Sequence, residues 1–423
     1  MTPGLFTLAF LLALAAMLAL RLYLSGRQSL HVFAHRDRVP AAFAERMSLS
    51  AHRKAADYTA ARQSLARLEI VADAWLLVVL TLGSGIAALL AWTGSLPIGV
   101  LWQDVLLLTA VMLLGGIVSL PFSAYSTFVI EERFGFNRMS LRLWLTDLAK
   151  GLAVAAVLGL PLLVLVLWLM RAAGAWWWLA AWLAWMAFQL LVLVLYPTLI
   201  APLFNRFDPL PAGTARERIE ALLARCGFSS SGLFVMDGSK RSGHGNAYFT
   251  GLGRAKRVVF FDTLLTRLDA DELEAVLAHE LGHFRLRHVA KRIAWSALVS
   301  LAFLALLAWL MTKPWFYAGL GIAPELVPQA MSRPGVALAL FTLALPVFTF
   351  LLGPLASYYS RRHEFEADAF AARIASGSAL VAALVKLYED NAATLTPDPL
   401  HSAFYDSHPP AAIRIAHLRG LSP

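Results

Sequence analysis

The stretch Asp269-Ala-Asp-Glu-Leu-Glu-Ala-Val-Leu-Ala-His279-Glu280-Leu281-Gly282-His283, followed closely by the apolar run Ile293–Met311, decides how the chain is read. On a helix, His279 and His283 are four residues apart, so their rings leave one face only about 40° apart around the axis. Two neutral imidazoles so placed can take adjacent corners of a Zn²⁺ tetrahedron, with Glu280 beside them as a base that is not a ligand. The surroundings support a helix. Asp269 with Glu272 three residues on has the capping-box pattern. Leu273, Val276, Leu277 and Leu281 recur at helical spacing and supply a buried face.

Working outward, the chain is 59% hydrophobic and 15% charged, with a mean hydropathy of +0.64. A soluble domain cannot hide that much apolar surface, so the composition implies a multi-pass membrane protein. Seven stretches are long enough to span a bilayer: 5–24, 70–92, 105–128, 152–170, 176–199, 293–311 and 336–358. The first has no basic residue before it, and Arg21, Arg27, Arg36 and Arg38 after it, which is the pattern of an uncleaved anchor with its N-terminus outside. Segments 25–69, 129–151, 200–292 and the tail after 358 are basic, whereas 93–104 carries no Lys or Arg and 312–335 only Lys313 and Arg333. This alternation puts the zinc motif and the C-terminus in the cytoplasm. It also accounts for the net charge of +9 without nucleic acid, for which no motif is present. A single cysteine, Cys226, excludes an intrachain disulfide framework.

The expected organisation is mainly α. Residues 1–199 carry spans one to five, 200–292 a cytoplasmic unit with the zinc motif, 293–358 spans six and seven, and 359–423 a second cytoplasmic region. Within 200–292, Asn246-Ala-Tyr-Phe249 and Arg257-Val-Val-Phe-Phe261 flank Gly251-Leu-Gly253 and read as a β-hairpin.

A catalytic zinc held by two histidines needs a third protein ligand. Glu364-Phe-Glu366-Ala-Asp368 lies on the same side of the membrane. Glu364 and Asp368 share a helix face, whereas Glu366 points elsewhere. With Glu364 as ligand, Asp368 is free to accept the distal N–H of a zinc histidine.

The His-Glu-x-x-His motif together with Ser360-Arg-Arg-His-Glu-Phe-Glu-Ala-Asp368 resembles the M48 metallopeptidases, and more closely their Ste24 branch, the integral-membrane CAAX prenyl proteases. Phe128-Val-Ile-Glu-Glu-Arg-Phe-Gly-Phe-Asn137, Asn246-Ala-Tyr-Phe249 and His408-Pro-Pro410 match that branch too, so the resemblance covers essentially the whole chain. It implies a zinc site of His279, His283 and Glu364, and Glu280 as general base. It also implies seven helices around a water-filled chamber, a zincin-like unit at its cytoplasmic end, and Asn246 and His408 beside the substrate. His408 would assist at the oxyanion. The strand Asn246, Ala247, Tyr248, Phe249 would pair with an extended peptide. Where the family often has an aromatic residue before the ligand Glu, this chain has His363, expected to face outward because adjacent helix residues diverge by about 100°.

The implied activity is zinc-dependent hydrolysis near the C-terminus of prenylated CAAX-type or other membrane-associated substrates. The partners are then a peptide or protein substrate and the lipid bilayer. A quality-control peptidase without CAAX specificity is the alternative. The Ala-, Leu- and Arg-rich composition points to a high-GC bacterium and its inner membrane, where prenylated proteins need not be the physiological target. A site-2-type intramembrane protease would carry the motif inside an apolar span; here Arg285, Arg287, His288, Lys291 and Arg292 follow it. A transporter with a structural zinc would have no use for Glu280.

Overall fold

The computed structural model describes residues 1–45, 47–228, 232–250 and 257–421. The membrane helices are α1 (Pro3–Ala34), α2 (Leu49–Leu80), α3 (Gly85–Gly94), α4 (Val100–Glu131), α5 (Leu141–Ala172) and α6 (Gly174–Phe204). After them come β1 (Phe207–Pro209), α7 (Thr214–Arg225), β2 (Leu233–Met236), β3 (Ala247–Thr250) and β4 (Arg257–Phe261). The rest is helical: α8 (Ala270–Arg285), α9 (His288–Leu310), α10 (Pro334–Ile374), α11 (Gly377–Asp390), α12 (Pro399–Tyr405) and α13 (Ala411–Leu421).

Among the described residues six helices are long and apolar enough to cross a membrane, or seven if the pair α2 and α3, bent by 52° at the junction, is counted as one span. The continuous span expected over 70–92 is therefore corrected: α2 begins at Leu49 and the helix breaks over Thr81–Ser84. The cause is local. Gly83-Ser84-Gly85 offers weak helix formers, Ser84 takes a left-handed conformation (φ 64°), and Thr81 Oγ1 donates to the Leu77 carbonyl at 2.7 Å.

The spans contact one another in a closed circuit, α1 to α2, α4, α5, α6, α9, α10 and back to α1. Only 6% of the apolar window of α5, 6% of α6 and 11% of α9 is buried. A close-packed bundle buries one face of every helix. These spans therefore bury few of their side chains against the rest of the protein. The buried apolar residues instead form two large clusters, one at each end. One joins Phe10, Leu90, Leu107, Tyr317 and Leu340 near the N-terminus of α1; the other joins Phe43, Leu222, Phe260, Leu277, Leu384 and Ile415 around α8.

At the first end, Arg333 Nε donates to Asp104 Oδ1 at 2.5 Å and Nη1 to Gln103 Oε1 at 3.0 Å, linking the start of α10 to that of α4. Asp104 also accepts from the Gly335 amide at 3.2 Å. Both charges are buried. Arg333→Leu strands the Asp104 carboxylate and is expected to cost about 3–5 kcal/mol. The check is thermal unfolding in detergent, in which adding Asp104→Leu to the same chain should recover much of the loss.

The expected hairpin strands do pair antiparallel, Ala247 opposite Phe260 and Thr250 opposite Arg257; its turn, Gly251-Leu-Gly253, lies outside the described residues. They belong to a four-stranded sheet of order β1-β2-β4-β3, in which β2 and β4 run parallel. Strands β1 and β2 are three and four residues long, too short to leave an alternating pattern in the sequence. β3 is an edge of this sheet.

Candidate active site

Helix α8 starts where its sequence dictates. Asp269 accepts from the Glu272 amide at 2.9 Å and Glu272 returns the bond to the Asp269 amide at 3.0 Å, a complete capping box. Its apolar face, with Leu273, Leu277 and Leu281, is buried in the second core. That burial turns His279 and His283 toward α10. Gly282 permits the approach: a Cβ there would lie 3.0 Å from Ala367 Cα and 3.1 Å from its carbonyl oxygen. Any larger residue would push the two helices apart.

The close crossing brings Glu364 opposite the histidines. His279 Nε2 lies 3.4 Å from Glu364 Oε2, His283 Nε2 lies 3.2 Å from Oε1, and the two Nε2 atoms are 3.2 Å apart. A tetrahedral zinc with bonds of 2.0–2.1 Å has ligand–ligand edges of about 3.3–3.4 Å, and the separation of the two Nε2 atoms and the approach of each to a Glu364 oxygen are of about that size. Glu364 Oε2 is buried and has no hydrogen-bond partner. Glu364 and Asp368 against Arg414 leave one formal negative charge in excess within a buried site, a cost that a cation removes. The residues therefore fit a zinc ion.

Desolvation alone would raise the pKa of Glu364, yet the facing His279 and His283 rings outweigh it and hold the carboxyl far below its usual range. Burial likewise opposes charge on His279, but its bonds to Asp368 and Glu364 carry its pKa up to about 9. A positive imidazole there stands in for the charge a metal would bring.

Asp368, fully buried, accepts from His279 Nδ1 at 2.8 Å. Arg414 holds it from the other side, Nε to Oδ2 and Nη2 to Oδ1, both at 2.7 Å. Sequence reasoning missed Arg414. Long charged side chains are almost never fully buried, and nothing local marks this one as the exception.

Glu280, half-buried, lines a cavity of about 820 Å³ together with His279, Asn246, Ala247, His408 and Arg414. Its far wall, also missed, comes from α2 with Tyr58, Arg62 and Gln63. His408 Nε2 sits 3.5 Å from Glu364 Oε2, its ring open to the cavity. Desolvation, helped by the Arg414 charge and opposed by the facing Glu364 carboxylate, leaves its pKa below the usual histidine value.

Asn246 is exposed just ahead of β3, its Oδ1 accepting from the Ala247 amide at 2.8 Å. Tyr248 and Phe249 continue the strand but do not line the cavity; Phe249 packs edge-on against Phe228. The entry to β3 is fixed by Asn391 Oδ1, which accepts from the Gly245 amide at 3.1 Å and lies 3.2 Å from His244 Nδ1. His244 Nε2 is in turn 3.4 Å from Glu131, which also accepts from Tyr58 Oη.

The outward orientation expected for His363 is corrected. Its ring is 3% exposed and stacks on His288, with centroids 3.9 Å apart and planes 8° off parallel. It does diverge from Glu364, but the face it turns to is covered by the start of α9. His288 lies 3.0 Å from His283 through their Nδ1 atoms, and burial lowers its pKa to about 4.

Two family profiles cover this chain: "CAAX prenyl protease N-terminal, five membrane helices" over residues 28–206, and "Peptidase family M48" over 209–422. The Saccharomyces cerevisiae protein "CAAX prenyl protease 1" is 37% identical over 320 residues, 73% of this chain and 70% of that protein. The human "CAAX prenyl protease 1 homolog" is 32% identical over 359 residues, 75% and 74% of the two chains. The crystal structure of S. mikatae Ste24p superposes with a TM-score of 0.89 at 30% identity, covering 98% of this chain and 99% of that one. The fold is thus shared along almost the whole length of both chains. The chain belongs to peptidase family M48, as a multi-pass membrane metalloendopeptidase of its CAAX prenyl protease branch.

Proposed function

We propose that this protein is a zinc-dependent endopeptidase that cuts near the C-terminus of membrane-associated proteins, with prenylated CAAX-type chains as the substrate class. The observation that carries the reading is the donor triangle of His279, His283 and Glu364 beside Glu280, on a cavity that the membrane helix α2 walls on its far side. Held by these three residues, zinc would supply Lewis-acid chemistry, polarising a carbonyl and lowering the pKa of water. Glu280 takes the proton of the attacking water and delivers it to the departing amine. His408, with its Nε2 beside Glu364, offers a hydrogen bond where negative charge grows on the scissile carbonyl oxygen. Asp368 and Arg414 hold His279 in orientation.

The free edge of β3 gives an extended peptide main-chain partners beside Asn246 and Ala247, so recognition runs through backbone more than side chains. Substrate peptides N-methylated at single amides should show this. Each lost bond is worth about 0.5–1.5 kcal/mol. kcat/KM is therefore expected to fall severalfold at alternate positions only, following the period of strand pairing. The excess of Arg and Lys on the catalytic side supports a cytoplasmic orientation for that side.

The test is cleavage of a farnesylated CAAX peptide and its unprenylated twin by detergent-purified protein, with products identified by mass. Cutting of the prenylated peptide near its C-terminus, in preference to the twin, is the expected result. Equal cutting of both would replace CAAX processing with general membrane-protein quality control. Cutting of neither by zinc-loaded folded protein would overturn the reading.

A further inference from the structure

Behind His283 lies a set of polar side chains that the reaction above does not use. The chain leaves α8 after Arg285, and Arg287 takes a left-handed conformation (φ 58°, ψ 31°), so that α9 opens with His288 turned back against His283. The Nδ1 atoms of His283 and His288 are 3.0 Å apart. His288 Nε2 lies 3.0 Å from Glu366 Oε2, and Glu366 Oε1 accepts from Arg362 Nε at 3.2 Å. His288 is 1% exposed, and the stacked ring of His363 fixes its plane.

The proton positions follow from these contacts. His283 turns Nε2 to Glu364, and that nitrogen must offer a lone pair to hold a metal. Its proton then sits on Nδ1 and is donated to Nδ1 of His288. That atom accepts only if the His288 proton is on Nε2, where Glu366 receives it. The arrangement parallels the one at the other histidine ligand, where His279 Nδ1 donates to Asp368 and Arg414 holds Asp368.

We propose that His288 and Glu366 are positioning residues for the metal site, a histidine–carboxylate relay that locks His283 in the metal-binding tautomer and orientation. This rests on the zinc reading given above. His288, His363 and Glu366 also lie close enough to suggest a second cation site, with donor atoms within 4.8 Å of one another. Two features argue for the relay instead. Both ring nitrogens of His288 are engaged, and nearly parallel stacked rings aim their lone pairs along parallel lines that do not converge on one ion.

The experiment uses the full chain purified in detergent. Zinc affinity is measured by competition with a chelator, the Co²⁺-substituted site is followed by absorption, and bound metal is counted per chain. His288→Leu removes the acceptor of the His283 N–H and is expected to weaken zinc binding about 10- to 100-fold and to alter the Co²⁺ spectrum. His288→Asn, whose amide oxygen can occupy the place of Nδ1, should recover most of the affinity. That rescue would not follow from a packing role alone. Glu366→Leu should weaken binding in the same direction by less, which keeps the test informative if His288→Leu fails to fold. Wild-type zinc binding with unaltered affinity in these variants overturns the relay alone, as does Asn behaving like Leu at 288. A second zinc equivalent, lost on His363→Leu, overturns it in favour of a metal site. Wild-type protein that binds no zinc overturns both the relay and the zinc reading.

Discussion

Glu280→Gln is expected to lower kcat/KM about 10²- to 10⁴-fold, the usual contribution of a positioned general base, while zinc content stays at one per chain. The amide keeps the size and much of the hydrogen bonding of the carboxylate but cannot take a proton from water. Glu280 is not one of the three candidate donors, so the change is expected to leave His279, His283 and Glu364 in place. The separation of activity from metal content is the informative result. Initial rates on the farnesylated peptide and metal analysis of the same sample measure it. Full activity in the variant would remove Glu280 from the mechanism.

The second large effect is expected at Arg414. Its guanidinium binds both oxygens of Asp368 at 2.7 Å, and Asp368 is fully buried. Arg414→Leu leaves that carboxylate with only the His279 ring, and losing one partner of a buried pair costs about 3–5 kcal/mol. α13, which carries Arg414, also packs against α10 and α11, so the loss should loosen the C-terminal segment as well. We expect a lower thermal midpoint of the metal-free protein and, separately, weaker zinc binding as His279 loses its orienting partner. Arg414→Lys restores a charge but not the two-point grip, and should recover only part of either quantity.

The parts of this site that could be read in the sequence are those written at helical spacing. His279 and His283, and Glu364 and Asp368, each stand four residues apart on helices whose caps or apolar faces are local features. The sequence does not reveal what meets across space. Arg414 is buried against the general rule for its side chain, and its justification, Asp368, is 46 residues away. For His363, the divergence of neighbouring helix residues holds, but the turn at Arg287 that covers its ring belongs to another element. Hydropathy averaged over a window passes through Gly83-Ser84-Gly85 and reports one span where the chain bends by 52°. The wall of the cavity from Tyr58 to Gln63 sits in a basic stretch whose charge explained it well enough as a membrane flank.

The most direct measurement of the central claim is a zinc add-back titration. Metal is stripped from detergent-purified protein by a chelator, retention of fold is checked by circular dichroism, and cleavage of the farnesylated peptide is followed as zinc is returned. We predict no cleavage without metal and a return of activity that saturates at one zinc per chain. Cleavage by fully stripped, folded protein, or zinc binding that restores nothing, would contradict a mechanism built on His279, His283, Glu364 and Glu280.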